Sequence, residues 1–528
     1  MKAASPRKLS WLPIAGLTTL FMVPVVIYSI GNRMHSSTPL KLPILEFATL
    51  EKFDTAVIET IDQYNILENF FSPLFEETDT GEIAGLLAKS AVWQDNSVVI
   101  ELKDDLKSST GMPITSEDVA FSLKRILITQ RNTHGNLAEI FPNCAALVSP
   151  FELCSDIAIV DRLKVRLTPH KESLWLLETL IAQDYAIIPI DAVDRESLKI
   201  IDYRNTSGPY WVSEEQRGQG FTVRANENHS HMREFPNAPR EAQFVNFPAS
   251  QTNNLAQAFL EGKITYFPKY YIPSEFKINE IFSQNRKGEG IEVHRTEPNF
   301  SRYMQFTNRG LQELSLSERI GMSNFVFSAF QQQFKAAGIQ LQTSVTFFPQ
   351  TADGALNETE TESIQALRNS APAEFFPRVE LGTRFGSASV ISKAFEAANA
   401  PVGLVEYKDI NRHVVAETGN IHEPHAYILA HDVSQKETLS SVSPLIYAGL
   451  LHETRASGQA WLKKYASESK KELRLKMLQE AHYSALSSGR LVPLYTQGTS
   501  SLVSAPWSFK NYPKRRIVDA LWLLSLNQ

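Results

Sequence analysis

Three groups of residues place reactive side chains at close spacing. Cys144 and Cys154 are the only cysteines in 528 residues. In an oxidising compartment two thiols this close in the chain pair, and otherwise they stay as buried free thiols. A ring that short adds roughly 3 kcal/mol in the chain-entropy picture. No His or Cys spacing around them completes a zinc site. The second group is His422, His425 and His431 with Glu423 and Asp432. Histidines three apart share a helix face, but Pro424 stands between the first two and breaks such a helix. A hydrogen-bonding cluster is therefore expected there, and no metal. His229 and His231 repeat the pattern more weakly. In the third group, Tyr266, Phe267, Tyr270 and Tyr271, core packing is favoured over stacking on a ligand.

None of these makes a catalytic constellation. There is no Gly-x-Ser-x-Gly, no phosphate-binding glycine loop, no His-Glu-x-x-His and no cysteine placed as a nucleophile, so no enzymatic activity and no cofactor are expected. The formal charge is −6, from 52 Lys and Arg against 58 Asp and Glu, with no long block of one sign. Nucleic acid is excluded as a partner on that balance.

The first thirty residues stand apart. Lys2, Arg7 and Lys8 precede an uncharged, mostly apolar stretch of 22 residues from Leu9 to Ile30. That is an export signal or a membrane anchor over 1–31, with its charged end held in the cytoplasm and the remainder sent outward. The length suffices to cross a bilayer, which favours a retained anchor, whereas Ser29 and Gly31 supply small residues for cleavage. The remainder is expected to be periplasmic, tethered to the inner membrane if the segment is kept.

The elements that position any site alternate in type. Ser97 to Lys103 sets Val98, Ile100 and Leu102 against polar neighbours at period two, a half-buried strand. Thr115 with Asp118 reads as a capping box for a helix over about 116–127, with Val119, Leu123, Ile126 and Leu127 inward. Lys471 to Ser488 is a second helix with Leu473, Met477 and Ala481 on one face, stopped by Gly489. The polar stretch 350–374 reads as a loop or insertion. At 43% hydrophobic residues the chain forms large cores, and the mixture is α/β in two or three lobes.

Read in order, several segments resemble the family 5 extracytoplasmic solute-binding proteins, the oligopeptide-, dipeptide- and nickel-binding receptors of ATP-driven (ABC) importers. They are Asn69-Phe-Phe-Ser-Pro-Leu-Phe-Glu76, Thr80-Gly-Glu-Ile-Ala-Gly-Leu-Leu-Ala88 with Trp93, and Val99 to Arg125 with Gly111, Pro113, Thr115, Glu117, Asp118, Val119, Phe121 and Ser122. Ser207-Gly-Pro-Tyr210, Leu255 to Ile264 with Gly262, Met304-Gln-Phe-Thr-Asn308 with Leu316 to Ile320, and Val492-Pro-Leu-Tyr495 continue the series. Most of these positions are turns, caps and core, so they specify a fold before a ligand.

The resemblance implies a two-lobed, type II periplasmic-binding-protein-like α/β fold. Its first lobe would be 41–290 plus 490–528, with an inserted subdomain at about 75–190, and its second lobe 291–489. It implies a receptor, monomeric by default, that closes over a peptide or peptide-like solute and delivers it to permease subunits in the membrane. A membrane-tethered sensor on the same scaffold is the alternative. Peptide binders of the family hold the ligand's amino end with an aspartate in a motif ending Asp/Glu-Pro. Gly419-Asn-Ile-His-Glu-Pro424 matches the end of that motif, with Asn420 at the aspartate's place and Glu417 where the family has a tryptophan. Asn420, His422 and Glu423 are thus the ligand-binding candidates. An amide hydrogen-bonds an ammonium without neutralising it, so either Glu423 takes over, the match slips by a few residues, or the ligand lacks a free amino end.

Overall fold

The fold is that of a computed structural model. It describes residues 39–44, 50–58, 61–78, 82–129, 137–170, 176–216, 218–247, 254–267, 281, 290–296, 300–336, 341–350, 352–374, 376, 378–384, 392–393, 395–396, 404–407, 424–432, 455–468, 470–498, 500–512 and 520–527. The segment 1–31 lies outside these, and among the described residues no helix is long and apolar enough to cross a membrane.

Four strands, Leu40–Ile44, Glu241–Asn246, Gly220–Ala225 and Tyr210–Gln216, form one sheet in that order. Tyr266–Phe267, Ser500–Ser504 and Ile291–Arg295 form a second. Two hydrogen bonds join them: Lys41 N donates to the Thr265 hydroxyl Oγ1 at 2.7 Å and Thr265 N to Lys41 O at 2.9 Å. Beneath them lies one core that mixes Leu40, Leu42, Phe53 and Phe70 with Val503, Trp507, Leu521, Trp522 and Leu524. The buried amide of Leu521 donates to Asn69 Oδ1 at 3.1 Å. Each fully buried Leu, Val or Phe here stabilises by roughly 1.5–3 kcal/mol relative to exposure.

A separate core surrounds the sheet of Ala88–Gln94, Ser97–Leu102, Lys164–Leu167 and Ile157–Asp161. Ser97–Leu102 buries Val98, Ile100 and Leu102 and leaves the alternate residues half-buried, as its period-two pattern requires. The neighbouring helix spans Ser116–Thr129. Asp118 Oδ2 accepts from Thr115 N at 2.8 Å and from Thr115 Oγ1 at 3.2 Å, which closes its first turn. The helix is buried on nearly every side, including Asp118, Lys124 and Arg125, and not on one stripe alone. Cys144 and Cys154 are joined by a disulfide beside it, with Cα atoms 5.3 Å apart.

The remaining large sheet has six strands in the order Gln342–Thr343, Leu491–Gln497, Phe300–Phe306, Ala426–Asp432, Leu381–Arg384 and Leu404–Tyr407. Helix Leu316–Ala336 helps cover one face, with its Phe330 in the core formed with Met304, Phe306, Ile428 and Leu494 of the sheet. Tyr303, Phe347, Leu478, Leu486 and Leu491 pack on the other. Pro493 has no N–H for the ladder, and the register slips there: Arg302 faces Tyr495 while Tyr303 faces Pro493. The carbonyl of Pro493 accepts instead from Arg368 Nη1.

Two expectations are corrected. The 350–374 stretch contains helix Glu358–Ser370, started by a capping box in which Asn357 and Glu360 exchange side-chain and backbone bonds and held by buried Ile364 and Arg368. Its surface is so polar that composition concealed the stripe. Helix Lys471–Ser487 buries Arg474, Leu478, Ala481, His482, Ala485 and Leu486, whereas Leu473 is 44% exposed. The inward face includes two polar residues whose bonds are satisfied internally, and an apolar count along the helix passes over them.

Candidate functional site

The strand directions converge on one place. Tyr266 pairs with Val503 and Phe267 with Leu502, so this strand runs towards Ser500, and Leu40–Ile44 lies beside it through the Lys41–Thr265 bonds. In the six-stranded sheet Leu381–Arg384, Leu404–Tyr407 and Ala426–Asp432 are mutually parallel, and Asp432 pairs with Phe300, the first residue of its strand. Parallel strands of both sheets thus end towards the passage between Arg295 and Phe300. Ligands in open α/β sheets bind outside the carboxyl ends of strands, where connecting segments diverge.

Two stretches of chain make that passage side by side. Arg295 pairs with Ser500 and Phe300 with Gln497, so one antiparallel ribbon leads from the three-stranded sheet into the six-stranded one. Gly498 allows the stretches to touch: a Cβ there would lie 2.2 Å from the carbonyl oxygen of Thr296. A Gly498→Val variant is expected to melt several degrees lower than wild type, with Gly498→Ala between them, because overpacking against backbone costs roughly 1–3 kcal/mol. Equal melting temperatures for all three would refute the contact.

On the six-stranded side, 408–423 connects the end of Leu404–Tyr407 to Pro424. Asn420, His422 and Glu423 fall in it, outside the described residues. What is described is the fixture holding its far end. Thr307 Oγ1 donates to Pro424 O at 2.6 Å, and Thr307 N donates to His425 O at 3.0 Å. The absent side chain of Gly310 leaves room for that carbonyl, which a Cβ would meet at 2.0 Å. Thr307 also caps helix Asn308–Glu313, accepting from Gly310 N.

His425 is 1% exposed and fully engaged. Its Nδ1 accepts from Glu380 N at 3.0 Å, and Nε2 lies 2.9 Å from Glu313 Oε2. An Nδ1 that accepts a backbone N–H carries no proton, so in the neutral ring Nε2–H donates to Glu313. Arg309 joins the two carboxylates, at 3.2 Å from Glu313 and 2.5 Å from Glu380. Hydrogen bonds from His425 and then Arg309 hold the Glu313 carboxyl below its ordinary range. Sequence reading had placed His425 in a histidine cluster and missed Thr307, Arg309, Glu313 and Glu380, which lie up to 118 residues from their partners. The one local signal was the Thr307-x-x-Gly310 helix start.

Other reactive groups have settled structural roles. Ser72 Oγ lies 3.0 Å from His229 Nε2, the spacing of a nucleophile and its base. His229 Nδ1, however, accepts from His231 N at 3.2 Å, so the ring's proton sits on Nε2 and is donated to Ser72. Burial, with His231 next, holds His229 well below its ordinary range, which favours the neutral ring that donates through Nε2. His231 stacks on Trp522 and reaches Glu76 at 3.3 Å. Tyr266 and Phe267 are core residues, 1% and 0% exposed. Tyr270, Tyr271 and His422 lie outside the described residues. Among the described residues no His, Cys, Asp and Glu group could hold a metal ion. A cavity of about 850 Å³ opens over the four-stranded sheet, between Lys41 and Gln243 of its strands and Gln257 of helix Leu255–Leu260.

Residues 82–319 match the family model for bacterial extracellular solute-binding proteins, family 5 Middle. A search of curated proteins by sequence found no match. Among solved structures, the murein tripeptide binding protein MppA of Escherichia coli superposes with a TM-score of 0.64 at 16% identity, over 93% of this chain and 99% of that one. NikA from Brucella suis in complex with Fe(III)-EDTA gives 0.69 at 15% identity, over 92% and 99%. The periplasmic binding protein DppA from Helicobacter pylori in complex with the peptide STSA gives 0.66 at 15% identity, over 94% and 100%. At these identities the likeness shows the fold, a mixed α/β body of two lobes.

Proposed function

Because residues 82–319 match the family model for bacterial extracellular solute-binding proteins, family 5 Middle, we propose that this chain is a receptor of that family serving an ATP-driven importer and carries peptides or peptide-like solutes between its lobes. The observation that carries this reading is the convergence of parallel strand ends from two sheet systems on one narrow double passage. Such a body gains affinity by closing, since contacts to both lobes exist only in the closed state. No bond in the ligand need break.

We place the lobe boundary a few residues beyond the expected 290/291 and 489/490, and the pairing of Ile291–Arg295 with Ser500–Ser504 and of Leu491–Gln497 with Phe300–Phe306 supports that shift. The sheet around Ser97–Leu102 is the inserted subdomain. Asn420, His422 and Glu423 take the ligand's amino end, with Glu423 supplying the charge that Asn420 lacks. DppA bound to a peptide and MppA named for a murein tripeptide support a peptide ligand, while NikA shows the same fold around a metal chelate. The body works outside the cytoplasm as a monomer, and 1–31 directs its export or tethers it beside the permease.

Native mass spectrometry of residues 32–528, purified after export, tests this reading. A ladder of co-purified short peptides released on denaturation is expected. A single non-peptide compound, or no ligand with no thermal shift from peptide pools, would sink the peptide assignment.

A further inference from the structure

We infer that the outer face of the four-stranded sheet is a second ligand site, independent of any solute carried between the lobes, and that it takes a neutral oligosaccharide.

Strand register decides which side chains share that face. Ala242 and Phe244 point into the core beneath the sheet, so Gln243 and Val245 point outward. Lys41 pairs with Gln243 and Gln243 with Thr222. Arg224, two residues from Thr222, pairs with Trp211, which puts Lys41, Gln243, Thr222 and Trp211 on one side. Two walls make a cavity of about 850 Å³ over this face. One wall is the hairpin turn after Tyr210–Gln216. There Asn246 N donates to Gln219 O at 2.9 Å and Asn246 Nδ2 to Gly218 O at 3.0 Å. Gly220, with φ of 124°, lets the turn close down, since a Cβ would lie 1.9 Å from the Phe244 carbonyl oxygen. The other wall is helix Leu255–Leu260, where Gln257 Nε2 donates to Glu261 Oε1 at 2.8 Å and Glu261 meets Lys263 at 2.6 Å.

The lining selects the ligand. Gln216, Gln219, Gln243, Asn246, Asn254 and Gln257 all present carboxamides. Of these, Gln219, Gln243 and Asn254 make no side-chain bond among the described residues. A carboxamide sets a donor beside an acceptor, which matches neighbouring sugar hydroxyls that both give and accept. Glu261 and Lys263 satisfy each other, as do Arg224 and Glu241 at 3.1 Å, so an anion would meet one ammonium, that of Lys41. An apolar ligand would strand the amides. The volume falls in the roughly 300–1,000 Å³ range of small-ligand pockets, whose lining is otherwise mostly apolar. Trp211 adds an aromatic surface. It lines a smaller hollow of about 430 Å³ with Ser109, Thr110, Arg204 and Ser213, and an indole offers a flat apolar face to the C–H side of a pyranose. Trp211 and Gln243 are two strands apart, about 10 Å at roughly 4.8 Å per strand, so a ligand touching both is longer than one sugar ring.

Calorimetry of the exported chain against cellotetraose and chitotetraose tests the site. At least one is expected to bind with a dissociation constant below about 1 mM. Gln243→Leu combined with Gln257→Leu should weaken that binding about tenfold or more, and Trp211→Ala by a similar factor. Trp211→Tyr, which keeps a ring face, should stay within about threefold of wild type. Melting temperatures should stay near wild type, because Gln257 is exposed and Gln243 and Trp211 are half-buried. No heat from either sugar up to about 10 mM overturns the site. Binding that the leucine pair and Trp211→Ala leave at the wild-type value puts the sugar elsewhere and overturns it equally. Binding of tetragalacturonate alone, lost in Lys41→Gln, overturns the neutral class.

Discussion

An Arg125→Met variant is expected to lose about 3–5 kcal/mol of stability, read as a large fall in melting temperature, because it strands a partly buried carboxylate. Arg125 is 1% exposed. Its Nη2 meets Asp54 Oδ1 at 2.7 Å and Oδ2 at 2.5 Å, Nε donates to Leu198 O at 2.7 Å, and Nη1 lies 3.4 Å from Thr55 Oγ1. Leu198 has φ of 57°, a left-handed conformation that costs a non-glycine residue roughly 1–2 kcal/mol and that the Arg125 bond helps to hold. Methionine matches the aliphatic stem but leaves Asp54 and the Leu198 carbonyl without this donor. Arg125→Met with Asp54→Asn should recover part of the loss, since no net charge is then buried alone. A single variant within about 1 kcal/mol of wild type, or a double variant no better than the single, would show that the pair contributes little. Ligand affinity should be unchanged in whatever fraction folds, because Arg125 and its partners Asp54, Thr55 and Leu198 lie outside the six-stranded sheet and the strand ends that converge beside it.

Acid is expected to weaken the core of Tyr303, Phe347, Leu478 and Leu486 through His482. Its ring is 0% exposed, accepts from Phe347 N at 3.0 Å through Nε2, and lies 3.1 Å from Gly354 O through Nδ1. Burial pulls its pKa down from 6.5 to about 4, outweighing the bond to Gly354, which acts in the opposite sense. The unfolded chain takes up a proton near pH 6.5 and the folded one only near pH 4, so between these values the unfolded state binds the extra proton. Stability from this ring is therefore intact above about pH 6.5 and falls progressively to about pH 4, by about 3 kcal/mol in all. Buried His229, also pulled down, adds in the same direction. Denaturant unfolding at a series of pH values should show this slope, and a His482→Gln variant, which does not titrate, should show a shallower one. A wild-type curve flat from pH 6.5 to 4 would exclude the linkage.

Much of the fold could be read in the sequence where a local pattern had one physical cause. Ser97–Leu102 alternates because one face is wet, and Ser116–Thr129 begins where Thr115 and Asp118 close a capping box. The motifs from Asn69 to Tyr495 supplied the order of elements. Helix Glu358–Ser370 was legible in principle through Asn357 and Glu360, but its charged surface drew the reading towards a loop. The inward face of Lys471–Ser487 was misjudged by about one residue because His482 and Arg474 behave as core residues once their polar atoms are bonded. The bonds around His425 were beyond reach. His425 meets Glu380 across 45 residues and Glu313 across 112, and no periodicity links such positions.

The core beneath the four-stranded sheet has a consequence for the order in which the chain becomes whole. Asn69 and Leu521, bonded to each other in that core, are 452 residues apart. At about 5–20 residues per second, a ribosome delivers the second roughly 20 to 90 seconds after the first. Throughout that interval Leu40, Phe53 and Phe70 have no Leu521, Trp522 or Leu524 to pack against. The amino-terminal half is thus left unfinished by design of its topology, slow to close and open to chaperones, which is the condition a polypeptide needs if it is to be threaded across a membrane before it folds.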